Sequence, residues 1–318
     1  MTPIVLFFQS TTDKSWRDKL EGVYRYAKNV GWQIHVIEAP STQQVIRKAL
    51  SIWQPIGCLV DRAMTLGRNP TKLFRNYPTI YLDQNPKTMT GDCSTVTNDS
   101  AACARLAAEE FLKTDVQDFT YIPYEKKVFW CDEREAAFSA AVRKSGRNYH
   151  KWNGSLSNLP RPCGILCAED PVARRAINEA IRQGFDIPND LLFIGIDNDP
   201  LICERTNPTL TSVLPGFELA GFKLAELLDQ RIKNPHAPPQ HLTYEPVGLI
   251  RRESSRLLVK NDARVRKALS FIRENATQQG LSTADVAAVM GCSRSLADLR
   301  FRESVGHSIH AEINNLRL

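Results

Sequence analysis

Strand-like apolar runs in this chain end on polar side chains, and those are the residues whose types could do chemistry. "LLFIGID" closes on Asp197, with Asn198 next. A carboxylate and an amide at a strand end suit sugar hydroxyls, because an ionised acceptor makes the stronger hydrogen bond. Other polar residues follow apolar runs at Gln9 to Asp13, Asp61 and Arg62, Asn98 and Asp99, and Glu169 and Asp170. Arg134, within "DEREAAF", carries a planar fork of donors able to hold two hydroxyls at once. Trp130, four residues earlier, could stack on the apolar face of a sugar ring, and Trp16, where a loop enters a helix, is a further aromatic candidate. Each has a plainer alternative: a turn or helix cap for Asp197, a surface position for Arg134, an ordinary core place for the tryptophans.

The same residue types say little about catalysis. Asp197 and Asp199 could do acid–base work, but no nucleophile–base pair stands out, and the chain has no G-x-G-x-x-G, G-x-x-x-x-G-K-S/T or G-x-S-x-G. The expectation is a binding protein and not an enzyme. Eight cysteines are scattered without a Cys-x-x-Cys pair, and Cys163 and Cys167 form the one spacing a metal could use. Buried reduced thiols are the simpler account, so neither a metal nor a cofactor is expected.

A second group lies near the end of the chain. In "DVAAVMGCSRSLADLRFRESVGHS" a helix over about 284–290 meets Gly291, a second helix runs over about 294–305, and Gly306 ends it. Gly291 can take the left-handed turn at little cost, and Ser293 can cap the second helix. Helix, glycine turn and helix is the arrangement whose second helix can enter a DNA major groove. Arg294, Ser295, Asp298, Leu299 and Arg302 then lie where bases or phosphates would be met. Leu299, spaced from Leu296, also fits core packing, as do Ala287, Ala297 and Phe301. From Arg256 onward ten basic residues stand against six acidic ones, a balance of +4 out of the chain's +6. A basic end on a near-neutral body points to a polyanion partner.

Positioning the first group requires an α/β body. "IVLFF", "QIHVIE", "IGCLV" and "TIYLD" alternate with helical stretches, the first stopping before Gly31. "FTYIP", "CGILCA" and "LLFIGID" then alternate with helices over about 133–144 and 171–183, after a helix over about 100–113. Continuous apolar strands between helices predict parallel sheets covered on both faces, and ligands bind beyond the carboxyl ends of such strands. Two successive α/β units predict two lobes facing across a hinged cleft. "KNPHAPPQH" reads as a loop, "LTYEPVGLIRRESS" as strands returning to the lobe, and a domain boundary falls near 257. No apolar run approaches the roughly 20 residues needed to span a bilayer, and "MTPIVLFFQS" reads as a strand, not a signal peptide. A cytoplasmic protein with no membrane partner is expected.

The motifs "VTNDS", "DEREAAF", "LCAEDPVARRAI" and above all "FIGIDNDPLICERTNPTLTSV" resemble a LacI-type, periplasmic-binding-protein-like sensor. "GCSRS", "LRFRESVGHSI" and "EINNLRL" resemble the first half of an AraC/XylS-type DNA-binding domain. Together they imply residues 1–257 as a two-lobed sugar sensor and 258–318 as a partial helix-turn-helix domain. The resemblance implies Arg134, Asn98, Asp99 and Asp170 as effector contacts, a monosaccharide effector with xylose foremost, an operator DNA partner, and a homodimer. Three departures stand out. No LacI-type helix-turn-helix precedes the sensor, Asn98-Asp99 replaces the commoner Asp-Asn order, and the AraC-type match breaks off before a second helix-turn-helix unit. The rival expectation is a sensor that binds sugar and dimerises without holding DNA well.

Overall fold

The structure is a computed structural model that describes residues 2–9, 13–38, 42–61, 71–89, 93–256, 263–275 and 280–315. Its strands are β1 (Ile4–Phe8), β2 (Gln33–Ile37), β3 (Gly57–Asp61), β4 (Thr79–Leu82), β5 (Ser94–Asn98), β6 (Asp118–Ile122), β7 (Asn148–His150), β8 (Cys163–Cys167), β9 (Leu191–Ile196), β10 (Thr211–Pro215), β11 (His241–Tyr244) and β12 (Pro246–Ile250). The helices are α1 (Lys14–Val30), α2 (Gln43–Trp53), α3 (Thr71–Phe74), α4 (Ser100–Phe111), α5 (Phe129–Lys144), α6 (Asp170–Arg182), α7 (Pro200–Cys203), α8 (Phe217–Lys233), α9 (Ala263–Asn275), α10 (Thr283–Met290), α11 (Arg294–Val305) and α12 (Ile309–Asn315).

The strands form two six-stranded sheets with matching orders, β2-β1-β3-β4-β5-β11 and β7-β6-β8-β9-β10-β12. All pairings are parallel except β10 with β12, which is antiparallel with an irregularity at Leu214/Pro215. Each lobe is thus a doubly wound sheet, as the apolar runs predict. Buried clusters cover the first sheet on both faces, one through Val5, Phe7 and Leu59 and the other through Leu6, Phe8 and Val60.

The lobes are not simply successive, however. After β10 the chain returns to the first lobe, where α8 packs along α1, and β11 joins β5 before β12 goes back to β10. The lobes are therefore joined by three crossings, at residues 98–100, 215–217 and 244–246. The α1–α8 contact depends on two glycines. A Cβ on Gly22 would sit 1.9 Å from the Glu218 carbonyl oxygen, and one on Gly221 would sit 1.8 Å from that of Lys19. No side chain can replace hydrogen at such a separation without the helices moving apart.

β5 and β10 are more polar in sequence than a buried strand usually is, yet they lie inside the sheets. Their hydroxyls are satisfied there: Thr95 Oγ1 lies 2.9 Å from His241 Nδ1, and Thr211 Oγ1 donates to the Arg252 carbonyl at 3.1 Å. That satisfaction removes the desolvation cost that burying a bare hydroxyl would carry.

The last four helices pack on a core of their own, including Val265, Leu269, Met290, Phe301 and Ile313. Ser282 and Asp285 form a capping box at the start of α10, and Ser293 caps α11. Gly291, at φ +64°, and Gly306, at φ +88°, end α10 and α11 in the left-handed conformation. The boundary expected at 257 lies outside the described residues.

Candidate functional site

Between the lobes lies a narrow cavity. It sits at the carboxyl ends of both sheets. The first lobe contributes Lys19 from α1, Asp83 after β4, Asn98, Ser100, Phe217 and Tyr244; the second contributes Phe129, Trp130 and Arg134 from α5, Glu169 after β8, and Asp197 after β9. Four of its residues, Asn98, Ser100, Phe217 and Tyr244, stand at the three crossings.

Asp83 gathers the first-lobe wall. It accepts from Lys19 Nζ at 2.6 Å, from the Asn98 backbone N–H at 3.1 Å, and from the Tyr244 hydroxyl at 3.0 Å. Lys19 Nζ also lies 5.2 Å from the centre of the Phe217 ring. One carboxylate thereby touches, directly or through Lys19, all three segments that join the lobes. Lys19 is almost wholly buried, which an ammonium tolerates only when paired. Tyr244 is held well above its ordinary pKa by burial first and by the Asp83 charge second, so it stays a neutral donor.

The opposite wall is built on the first turns of α5. Arg134 is buried, donates from Nη1 to the Ala168 carbonyl, and stacks 4.7 Å from the Trp130 ring centre. Burial alone would lower its pKa, but the Asp197 charge opposes that and leaves it raised. Its Nε and the Asn98 Nδ2 are buried donors with no hydrogen-bond partner among the described residues. Buried donors of this kind ordinarily find an acceptor.

Of the eight expected ligand residues, the structure brings Asn98, Trp130, Arg134 and Asp197 to the cavity. The other four serve elsewhere. Asp170 is fully buried behind the wall and accepts from Ser212 and the Asp199 N–H. Asp99 caps α4, accepting from the Ala102 N–H at 2.7 Å. Asn198 accepts from Arg252 Nη1 at 2.9 Å. Trp16 is a core residue, its ring 6.2 Å from that of Phe7. Glu169, one residue before Asp170, takes the place at the cavity because Asp170 begins α6 and turns inward. Lys19, Asp83, Phe129, Phe217 and Tyr244 were not among the expected residues. Asp83 alone had a signal, as the polar end of "TIYLD"; the rest sit inside helical or strand patterns that look like core. Residues 10–12 and Arg62 lie outside the described residues.

On α11, Arg294 and Ser295 are exposed in the first turn. Leu299 is 54% exposed and Leu296 39%, so neither packs into the core, which takes Ala297 and Phe301 instead. Asp298 is engaged within the helical unit. It accepts from Arg302 Nε at 2.7 Å and from the Ile309 N–H at 3.1 Å, tying α12 to α11. Seven of the eight cysteines are buried and Cys292 half-buried; burial pushes the Cys103 thiol up to about 11.

The fold is the two-lobed α/β fold of periplasmic-binding-protein-like domains. Residues 108–255 match the periplasmic binding protein-like domain family. The chain is similar to the xylose operon regulatory protein of Escherichia coli (strain K12), 28% identical over 242 residues, covering 70% of this chain and 62% of that protein. It thus spans somewhat under two thirds of the curated relatives it matches over their longest stretch. A shorter stretch of 96 residues is 34% identical to the ribose operon repressor of Haemophilus influenzae, 30% of this chain and 29% of that one. Among solved structures, a xylose-binding transcription activator, xylR, superposes with a TM-score of 0.75 at 24% identity, over 99% of this chain and 85% of that one. A cellobiose complex of the regulator CelR superposes with a TM-score of 0.67 at 19% identity, over 79% and 84%. These relatives are named as transcription regulators, not as enzymes.

Proposed function

We propose that this chain is a sugar-responsive transcription regulator whose effector, a monosaccharide, binds between the lobes. The observation that carries this reading is the cavity itself. Aromatic faces from Phe129, Trp130, Phe217 and Tyr244 surround unpartnered donors on Asn98 and Arg134 and the carboxylate of Asp197. Aromatic rings cover the C–H faces of a pyranose, and the charged groups take its hydroxyls. The lining cations Lys19 and Arg134 each face a carboxylate, Asp83 and Asp197, and Glu169 adds a further acid. Such a balance favours an uncharged sugar over a sugar phosphate. Xylose is the first candidate, supported by the names of the similar regulators.

The helices α9 to α12 are read as the first half of an AraC-type DNA-binding domain, with Arg294, Ser295, Leu299 and Arg302 of α11 toward operator DNA. Sugar binding then changes how two such halves sit in a homodimer in the cytoplasm. The sugar must prefer one lobe arrangement, since a ligand with equal affinity for both shifts nothing. A coupling of about 1–3 kcal/mol suffices for a useful response.

Isothermal titration calorimetry with a panel of pentoses, hexoses and their phosphates tests the sensor. Micromolar binding of one neutral sugar, lost in Asp197→Ala, is expected; binding of none would sink the reading. Gel shifts with a candidate operator, with and without that sugar, test the DNA half. Equal and weak retention of all DNA would favour a sensor that dimerises without reading an operator.

A further inference from the structure

Asp197 and Asn198 are consecutive non-glycine residues at φ +113° and +49°. Backbone in that region persists only where its surroundings over-determine it. Beside the Asp197 N–H bond to the Val213 carbonyl at 3.0 Å and the Asn198–Arg252 bond, the surroundings include one carboxylate that does not reach the cavity. Asp170 accepts from the Asp199 N–H at 2.8 Å, from Ser212 Oγ at 2.6 Å and from Cys203 Sγ at 3.3 Å. Ser212 Oγ in turn accepts from the Asn198 N–H at 3.0 Å. Gly195 leaves the room for this, because a Cβ there would lie 2.2 Å from Asp170 Oδ1. The turn is therefore clamped on its far side, at Asn198 and Asp199, while Asp197 stands on its near side at the cavity. Ser212 also belongs to β10, the strand that leads into the crossing at 215–217.

We propose that Asp170 is a positioning residue: as a triple acceptor it locks the Asp197–Asn198 turn and so aims Asp197 at the effector. This rests on the effector reading of the cavity given above. The clamp is also sensitive to pH. Burial pushes Asp170 up to about 7, against the lowering effect of its Ser212, Asp199 and Cys203 hydrogen bonds. The other ionisable groups around it are the Asp199 carboxylate, Cys203, whose own neighbour is Arg252, and Cys167, whose own neighbour is Arg175. Protonation converts one acceptor oxygen into a donor. As pH falls through about 7 the clamp loses an acceptor and effector affinity falls with it.

The test measures sugar affinity from pH 6 to pH 8.5 for the full chain, Asp170→Asn and Ser212→Ala, alongside protection of the Asn198 and Asp199 amides from hydrogen exchange without sugar. Wild-type affinity is expected to fall at least fivefold from pH 8 to pH 6. Asp170→Asn is expected to bind at least tenfold more weakly at pH 8, with a flat pH profile, unchanged near-ultraviolet circular dichroism and reduced protection at those two amides. Ser212→Ala should weaken binding as well, and the double variant little further, since both act on one turn. Wild-type affinity in Asp170→Asn, with its pH profile retained, overturns the proposal. Should the wild type bind no sugar at all, the effector reading fails separately; unchanged amide protection in Asp170→Asn would then overturn the clamp too.

Discussion

Arg134 is the residue on which the cavity's chemistry turns. It is buried, stacked on Trp130 and anchored to the Ala168 carbonyl, so its fork is already ordered before any ligand arrives. Its Nε still lacks a partner among the described residues. A lysine keeps the charge but loses the planar fork and most of the stacking. Arg134→Lys is expected to fold and to weaken sugar binding by about 1.5–3 kcal/mol, the range for hydrogen bonds to charged groups. Calorimetry against the wild type measures it, and an unchanged affinity would show that the fork does not hold the sugar. Arg134 and Trp130 lie within α5 and are reached through the "DEREAAF" segment, whereas position in sequence identified Asp197, at the end of a strand run. It could not separate Asp170 from Glu169, because adjacent residues at a helix start point in opposite directions and only packing decides which faces the cleft.

Two contacts between elements carry much of the geometry. α1 and α8 touch backbone to backbone through Gly22 and Gly221, and that contact brings Lys19 and Phe217 to the same wall. Gly221→Ala forces the helices apart and is expected to destabilise the protein by about 1–3 kcal/mol, as overpacking does. Urea unfolding should show a lower midpoint at constant slope, and sugar affinity should fall with it. At the other end of the chain, Gly291 holds the α10–α11 turn at φ +64° and is exposed. Gly291→Ala is expected to cost about 1–2 kcal/mol from the left-handed backbone alone. Loss of helical ellipticity at 222 nm at a lower temperature than wild type would register it; an unchanged melt would mean that the turn relaxes.

At the scale of the whole molecule, three crossings link the lobes, and Asp83 gathers the first-lobe ends of two of them. Asp83 bonds to Lys19, Asn98 and Tyr244, so a change at this wall of the cleft reaches two of the segments that join the lobes. A sugar that binds the closed arrangement should contract the molecule. A smaller radius of gyration in X-ray scattering on adding the sugar is expected, with no such change in Asp197→Ala. Binding also stabilises by mass action, about 2.7 kcal/mol at a hundredfold excess over Kd. A melting temperature that does not rise with sugar concentration would contradict binding to the folded state.

The alternation of apolar runs and helices determined, before any coordinates, that the chain is a parallel α/β protein in two parts with a short helical end, because burial on both faces of a sheet leaves an unmistakable run of Val, Ile, Leu and Phe. Capping chemistry did the same for α10 and α11, whose ends follow from Ser282, Gly291, Ser293 and Gly306. Tertiary structure decided the rest. The polar strands β5 and β10 are buried only because distant segments satisfy their hydroxyls. Lys19 and Tyr244 reach the cavity only because α8 and β11 return to the first lobe. Leu299 is exposed because the core of the helical unit is filled by Ala297 and Phe301, a choice that helical spacing alone leaves open. Local patterns record which side chains leave water, whereas the partners that receive them come from residues far away in the chain.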